Sequence, residues 1–453
     1  MSKKTPTNFL KITGGTRLKG RVKVSGAKNS ATKLLIASLL SDKRCVIRNV
    51  PDIGDVRITV ELCKEIGAHV LWDKEAEVIE ITASEIKRTC ISCRFSNVNR
   101  IPVLLLGALL ARSEEQIKVP AVGGDAIGKR TLNFHIDALR QLGAEISYLA
   151  EEDVYIARRQ GQLTGTIINL PYSSVGATEN IIFTAVRAKG KTIIHNAAVE
   201  PEIIDLIMFF QKMGVLITVE NDRSIEITGV DSFHEVDHSV IPDRIEAASF
   251  GLAAVLTEGR VFVEGAQHVH LLPLLNNLRK IGGEFIINPE GIDFFYDKPL
   301  KGGLILETDV YPSFTTDWQQ PFAVLLTQAG GESIIHETVH ENRLGYLKAL
   351  QTMGANCRLV KRCLGSKPCR YHDCNFAHSA VIRGATPLKA AHLKIPDLRA
   401  GFSYIMAAMV AEGESVILGL DLIERGYKDL VNKLACLGAE IAVSQEESSY
   451  SFV

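Results

Sequence analysis

Long apolar runs are missing from this sequence of 453 residues. The longest, such as residues 101–111 (IPVLLLGALLA), fall far short of the roughly 20 residues a membrane-spanning helix needs, so no membrane association is expected. The opening MSKKTPTNFLKITGG has no apolar core of the kind a secretory signal carries, and a cytoplasmic location is expected. In that reducing compartment the nine cysteines read as free thiols or metal ligands rather than disulfides. An excess of charge is absent too. Lys plus Arg is 51 and Asp plus Glu is 52, giving a formal net charge of -1. That balance argues against a general nucleic-acid binder, yet it leaves room for a small anionic ligand held by a few focused cations.

What is present is a globular balance of 46% hydrophobic and 23% charged residues, on a chain long enough for two domains of roughly 200 residues. An internal repeat organises it. An aliphatic residue, a glycine and a small or apolar residue close a helical pattern at Ile66-Gly67-Ala68, Leu142-Gly143-Ala144, Met213-Gly214-Val215, Ile281-Gly282-Gly283, Met353-Gly354-Ala355 and Leu437-Gly438-Ala439. The glycines are 76, 71, 68, 72 and 84 residues apart, and a β-rich run usually follows each. A glycine there supplies a left-handed helix cap, so six at near-constant spacing predict a repeated β/α fold. Each repeat also carries a helix apolar almost all round, for example KLLIASLL from Lys33 or YIMAAMVA from Tyr404. Such helices belong in an interior. The expected architecture is six β/α units, helices inside and sheets outside, with three plus three matching the size.

The segments leading into those helices are SGAKNS (25–30), SNVNR (96–100), SSVGATEN (173–180), PDRIEA (242–247), TTDWQQ (315–320) and PDLRAG (396–401). All mix turn and capping residues, and four hold Lys or Arg. Helix N-termini expose unpaired N–H groups and the positive end of the dipole, which attract anions. Ordinary capping explains any one of them; their recurrence raises a phosphate- or carboxylate-binding surface as a second explanation.

Nine motifs occur in an order that is recognisable: VSGAKNS (24–30), GGDAIGKR (123–130), SSVGAT (173–178), NAAVEPEI (196–203), PDRIE (242–246), TTD (315–317), ETVHENR (337–343), PDLRA (396–400) and ERGY (424–427). On these the chain resembles the UDP-N-acetylglucosamine enolpyruvyl (1-carboxyvinyl) transferases nearly end to end. The sister family that acts on shikimate 3-phosphate shares the fold, but its GNAGT-type segment reads SNVNR here. The resemblance implies an α/β fold, a two-domain inside-out α/β barrel of three units per domain. It implies one domain of residues 28–241, with a lid loop at 119–130, and a second of 1–27 plus 242–453. The implied substrates are phosphoenolpyruvate and UDP-N-acetylglucosamine, with no cofactor, metal, nucleic acid, membrane or obligate protein partner.

Adding an alcohol to phosphoenolpyruvate requires protonation of its methylene carbon and removal of the hydroxyl proton, and loss of phosphate reverses those transfers. Fixed cations plus one acid and one base serve that chemistry, and guanidinium groups grip carboxylate and phosphate in bidentate fashion. By resemblance, Lys28, Arg130, Arg343 and Arg425 surround phosphoenolpyruvate, with Arg100 between it and the nucleotide sugar. Asn29 contacts the substrates, Asp317 lies beside the acceptor hydroxyl as the candidate base, and Asp397 and Arg399 lie near the phosphate. Arg130, Thr131, Leu132, Asn133 and Phe134, then Tyr172, Ser173, Ser174, Val175 and Gly176, and finally Val339, match nucleotide-sugar positions.

Three positions depart from the family pattern. Asp125 stands where cysteine is common and becomes the candidate general acid, provided that desolvation under a closed lid raises its pKa against nearby cations. Asn133 replaces a common Asp, and Tyr172 a frequent Lys. These changes keep two other readings open: the same chemistry on another nucleotide acceptor, or a non-catalytic UDP-sugar-binding paralogue. The longest repeat interval carries a Cys/His-rich insertion at 357–378, where Cys363, Cys369, Cys374 and His378 are spaced C-x5-C-x4-C-x3-H. The spacing suits a structural zinc site, but free thiols on an ordered loop are the preferred reading. Cys90 and Cys93 form a lone C-x-x-C to which no role is assigned.

Overall fold

Each of the six repeat glycines adopts a backbone conformation that side chains resist: φ is 118° at Gly67, 105° at Gly143, 96° at Gly214, 94° at Gly282, 95° at Gly354 and 97° at Gly438. Each ends a helix and starts a strand, as at Gly67 between Gly54–Ile66 and His69–Asp73, or at Gly354 between Leu347–Thr352 and Asn356–Val360. The computed structural model describes residues 8–123, 132–367 and 369–445.

The repeat that follows is a β/α unit with one buried helix. In the third, Ile167–Asn169 lies parallel to Lys191–His195, with Ile167 opposite Ile193. The helix Val175–Ala185 makes the crossover that a parallel pair requires. Lys191–His195 then pairs antiparallel with Ile225–Thr228, which pairs antiparallel with Leu216–Val219. Among the described residues, five of the six sheets have four strands in this manner. The second repeat is the exception. Its sheet has three strands, and a single bridge from Cys90 to Lys118 stands where the parallel strand would run.

The chain divides into two compact units, cut after Ser25 and after Ile241. Among the described residues, one holds 26–123 and 132–241 and the other 8–25 and 242–445. The first two strands belong to the second unit because its sheets need them. Asn8–Thr13 fills the place between Glu414–Leu418 and Glu440–Gln445, and Lys19–Lys23 runs parallel to Arg260–Glu264. Each unit has three sheets around three buried helices and its own hydrophobic core.

The buried helices are Lys28–Ser38, Leu104–Arg112 and Val175–Ala185 in one unit, and Arg244–Leu256, Thr316–Thr327 and Leu398–Val410 in the other. Every residue of Arg244–Leu256 is buried, which explains why its sequence shows no polar face. Hydroxyls on these helices are satisfied locally: Ser38 Oγ donates to Leu34 O at 2.8 Å and Ser249 Oγ to Ile245 O at 2.9 Å. Two helices approach closely at Gly107, whose N–H donates to Asn180 Oδ1 at 2.9 Å, and any Cβ there would overlap Asn180. No helix among the described residues is long and apolar enough to cross a membrane.

The repeat glycines supply a clean test. A Cβ at Gly143 would meet only Leu163 Cδ2, at 4.0 Å, so substitution acts through the backbone alone. Gly143→Ala is expected to destabilise the 26–241 unit by about 1–2 kcal/mol. Urea unfolding measures this, and a midpoint unchanged from the parent would count against a left-handed requirement at that position.

Candidate active site

In the unit containing residues 242–445, one carboxylate gathers two buried cations. Asp317, the second residue of the helix Thr316–Thr327, accepts from Arg343 Nη2 at 2.8 Å and from Arg399 Nε at 3.1 Å. Both arginines are buried. Burial, the largest single influence, works against the Arg399 cation, but Asp317, Tyr427 and Asp243 together outweigh it and hold the guanidinium above its ordinary range. The Arg399 guanidinium also lies 5.9 Å from the centre of the Tyr427 ring, and the Tyr427 hydroxyl hydrogen-bonds to Ser249 Oγ at 3.0 Å. Arg425 precedes that tyrosine by two residues, at the end of Leu420–Glu424, and is partly buried.

Asp397 is engaged in folding. Its Oδ1 accepts from the backbone N–H groups of Arg399 at 2.9 Å and Ala400 at 3.0 Å, which makes it the N-cap of Leu398–Val410. Asp243 in PDRIE caps Arg244–Leu256 in the same way, through Ile245 and Glu246. The two motifs are therefore one device used twice.

Two residues passed over in the sequence belong to this neighbourhood. Glu337 is fully buried and accepts from Val339 N at 2.8 Å, His340 N at 3.0 Å and Thr316 Oγ1 at 2.8 Å. It ties the turn that carries Val339 to the start of the Asp317 helix, and burial pushes its carboxyl up. Arg244 is buried over the rings of Trp318, at 5.4 Å, and Tyr311, at 5.7 Å. Each lies in a quoted motif, ETVHENR or PDRIE, and that was the available signal.

In the unit containing residues 26–241, Lys28 opens the helix Lys28–Ser38 and its Nζ lies 3.0 Å from Asp55 Oδ2. Asp55 is buried, and its Oδ1 accepts from Asn99 Nδ2 at 3.3 Å. Asn29 and Arg100, both partly buried, adjoin these residues along the chain. Asp55, in an otherwise amphipathic helix, gave no sequence signal. Burial raises the Tyr155 phenol, and the Arg100 charge opposes the shift.

The two segments of this unit expected to hold the nucleotide sugar meet. Leu132 is buried, Asn133 exposed and Phe134 partly buried at the start of Asn133–Gln141. His135 behind them faces Gly176, where a Cβ would meet its Cε1 at 3.0 Å, and its Nδ1 lies 3.1 Å from Asn180 Nδ2. Ser174 caps the helix that begins at Val175, accepting from Ala177 N at 3.4 Å, while Ser173 Oγ donates to Asn196 Oδ1 at 2.6 Å. Tyr172 is partly buried just ahead of them. Asp125, Arg130 and Thr131 lie outside the described residues, as does most of the 119–130 loop.

Metal-ligating side chains gather elsewhere, at His336, Cys363, Cys369 and His378. The spacing-based set requires correction at one member. Cys374 is exposed and outside the group, and His336 from a distant strand takes its place.

Comparison with known proteins fits this geometry. The enolpyruvyl transferase NikO from Streptomyces tendae superposes with a TM-score of 0.86 at 23% identity, covering 98% of this chain and 100% of that one. EPSP synthase from Acinetobacter baumannii gives 0.74 at 18% identity, covering 97% and 100%. These likenesses show the fold. The EPSP synthase (3-phosphoshikimate 1-carboxyvinyltransferase) family model matches residues 12–434, which sets the class. Within that class, a UDP-N-acetylglucosamine 1-carboxyvinyltransferase from Chlamydia abortus is 64% identical over 95% of this chain and 97% of its own length. A protein of the same name from Protochlamydia amoebophila is 56% identical, covering 98% and 96%. The chain belongs to the UDP-N-acetylglucosamine 1-carboxyvinyltransferase family.

One buried acid of the 26–241 unit makes a pH prediction. Burial pushes Glu179 up to about 7, with Lys33, 3.9 Å away, opposing and Glu200 and Glu202 adding to the rise. A carboxyl raised on folding contributes stability that is complete below its unfolded pKa and lost as pH climbs through the folded value. Glu179→Gln, which stays neutral, should therefore gain on the parent between pH 5 and pH 8, by on the order of 1–3 kcal/mol. Urea unfolding at both ends of that window tests this; a difference independent of pH removes Glu179 as the cause.

Proposed function

We propose that this chain transfers the enolpyruvyl group of phosphoenolpyruvate to the 3'-hydroxyl of UDP-N-acetylglucosamine, releasing phosphate, as the first committed step of peptidoglycan precursor synthesis in the cytoplasm. The observation that carries the reading is the Asp317 carboxylate at the start of one buried helix, held by Arg399 at the start of another and by Arg343, on a chain 64% identical to a transferase of that name.

In this reading Asp317 takes the proton of the acceptor hydroxyl as its oxygen bonds to the carbon of phosphoenolpyruvate that bears the phosphate. Asp125 supplies a proton to the methylene carbon. The tetrahedral adduct then loses phosphate as that carbon gives a proton back, which restores the double bond. Lys28, Arg130, Arg343 and Arg425 balance the phosphate and carboxylate charges, and Arg100 lies between the two substrates. Asn29 orients them. Arg399 acts through Asp317 as a positioning residue. Two guanidiniums on one carboxylate fix its direction, so the base needs no reorganisation during the reaction. Thr131, Leu132, Asn133, Phe134, the segment from Tyr172 through Ser173, Ser174 and Val175 to Gly176, and Val339 hold the nucleotide sugar.

The test is phosphate release from phosphoenolpyruvate, first with UDP-N-acetylglucosamine and then with other nucleotide acceptors. Activity is expected with the first, and Asp317→Asn should lower kcat about 10²–10⁴-fold. Full activity of that variant would remove Asp317 as the base, and activity only with other acceptors would replace the acceptor named above.

A second outcome follows from Asp125. A carboxylate is a weaker nucleophile than a thiolate toward an epoxide, so fosfomycin should inactivate the protein slowly and Asp125→Cys should become sensitive. Rapid time-dependent inactivation of the parent at low drug concentration contradicts this.

A further inference from the structure

The insertion of the fifth repeat has too few apolar residues to order itself by burial, yet it closes around four metal-ligating side chains. His336 ends the strand Gly331–His336, and Ser379, its partner in the antiparallel register, immediately follows His378. Cys363 and Cys369 come from the loop between Asn356–Val360 and Ser379–Gly384. One ligand atom from each of the four lies within 4.8 Å of every other, and Cys363 Sγ is 3.2 Å from His378 Nε2. Tetrahedral zinc with two sulfur and two nitrogen ligands sets such atoms about 3.3–3.8 Å apart, so the group needs only a small contraction.

The surroundings orient both imidazoles. The Nδ1 of His336 faces Glu307 Oε1 at 3.4 Å, and that of His378 faces the carbonyl of Phe376 at 3.1 Å. With the proton on each Nδ1, the lone pair of each ring is on Nε2, and that of His378 meets Cys363 Sγ. The ring of His336 is fully buried, and its Nε2 has no hydrogen-bond partner among the described residues. A buried, partnerless nitrogen on a ring grouped with two thiols is costly unless something binds it. A carboxylate behind a histidine is also the arrangement that fixes metal-binding imidazoles. Glu307 in turn accepts from Lys367 N at 2.9 Å and Ser366 Oγ at 2.9 Å, so the loop grips the same carboxylate. Tyr371 N donates to Cys369 Sγ at 3.4 Å.

We propose that His336, Cys363, Cys369 and His378 form a structural zinc site. Two neutral imidazoles and two thiolates complete the tetrahedron and cancel the charge of the ion, and the two thiol protons pass to solvent. No position remains for substrate, so the role is to order the insertion. That has a consequence at Val339, whose carbonyl accepts from the Tyr371 hydroxyl at 2.8 Å and from Arg370. The zinc-held loop thereby braces the turn that carries Val339.

The experiment uses the full chain purified under reducing conditions without added metal. Elemental analysis should find one zinc per chain. After chelation, cobalt(II) should restore one equivalent with the thiolate charge-transfer and tetrahedral ligand-field absorption of a two-sulfur site. Cys363→Ser, Cys369→Ser and His336→Ala should each lose most of the zinc, whereas Cys374→Ser should keep it. If a variant fails to fold, the cobalt spectrum of the parent chain still decides. Protein with less than a tenth of an equivalent of zinc that also shows no cobalt spectrum overturns the site. Zinc lost by Cys374→Ser but retained by His336→Ala overturns this ligand set.

Discussion

Arg343 and Arg399 are taken out of water inside their unit, and Asp317 makes that tolerable. A buried charge left without its partner costs several kcal/mol, so each member of the trio constrains the other two. Arg399 needs the first turn of its helix, which Asp397 caps, and Arg343 needs the turn that Glu337 holds. Asp317 needs the start of a helix that the core buries almost completely. The packing of the three helices is thus a condition for the charge arrangement. The charge arrangement in turn is what a reaction between an anionic enol ester and a sugar hydroxyl requires.

The other unit solves a related problem with different residues. Lys28 opens its buried helix and meets Asp55, which Asn99 also contacts. Both units put ionic groups at helix starts, where the dipole and exposed N–H groups favour bound anions. Capping and ligand attraction are therefore two uses of one feature. Ser174 and Asp397, read in the sequence as substrate positions, have side chains engaged as caps. A cap that shapes the end of a helix also sets where the neighbouring N–H groups and cations point.

The insertion follows a third course. Where apolar burial is too small to hold a loop, polar anchors replace it: Glu307 for the backbone and hydroxyl of the loop, and the sulfur and imidazole groups for each other. Gly365 marks how closely the pieces approach, since any Cβ there would overlap the Glu307 carboxylate and the His336 ring. The crowding leaves that position to glycine, a constraint that spacing between cysteines does not reveal.

The sequence by itself determined the six repeats, the buried helices and the caps, because each rests on neighbours within a few residues. Gly143 and Gly438 needed only their own left-handed conformation, and the apolar run from Phe250 needed only its lack of a polar face. The family motifs marked Lys28, Asp317, Arg343 and Arg399 as charged groups at chemically suggestive places. Tertiary structure decided which of them share a partner. Arg343 and Arg399 stand 26 and 82 residues from the carboxylate they both contact, and no local rule spans that distance. It also decided that His336 and not Cys374 joins the sulfur group, since strand register brings His336 beside Ser379 and so beside His378. Register is set by long-range pairing of backbone groups across a sheet, and a linear spacing of cysteines carries no record of it.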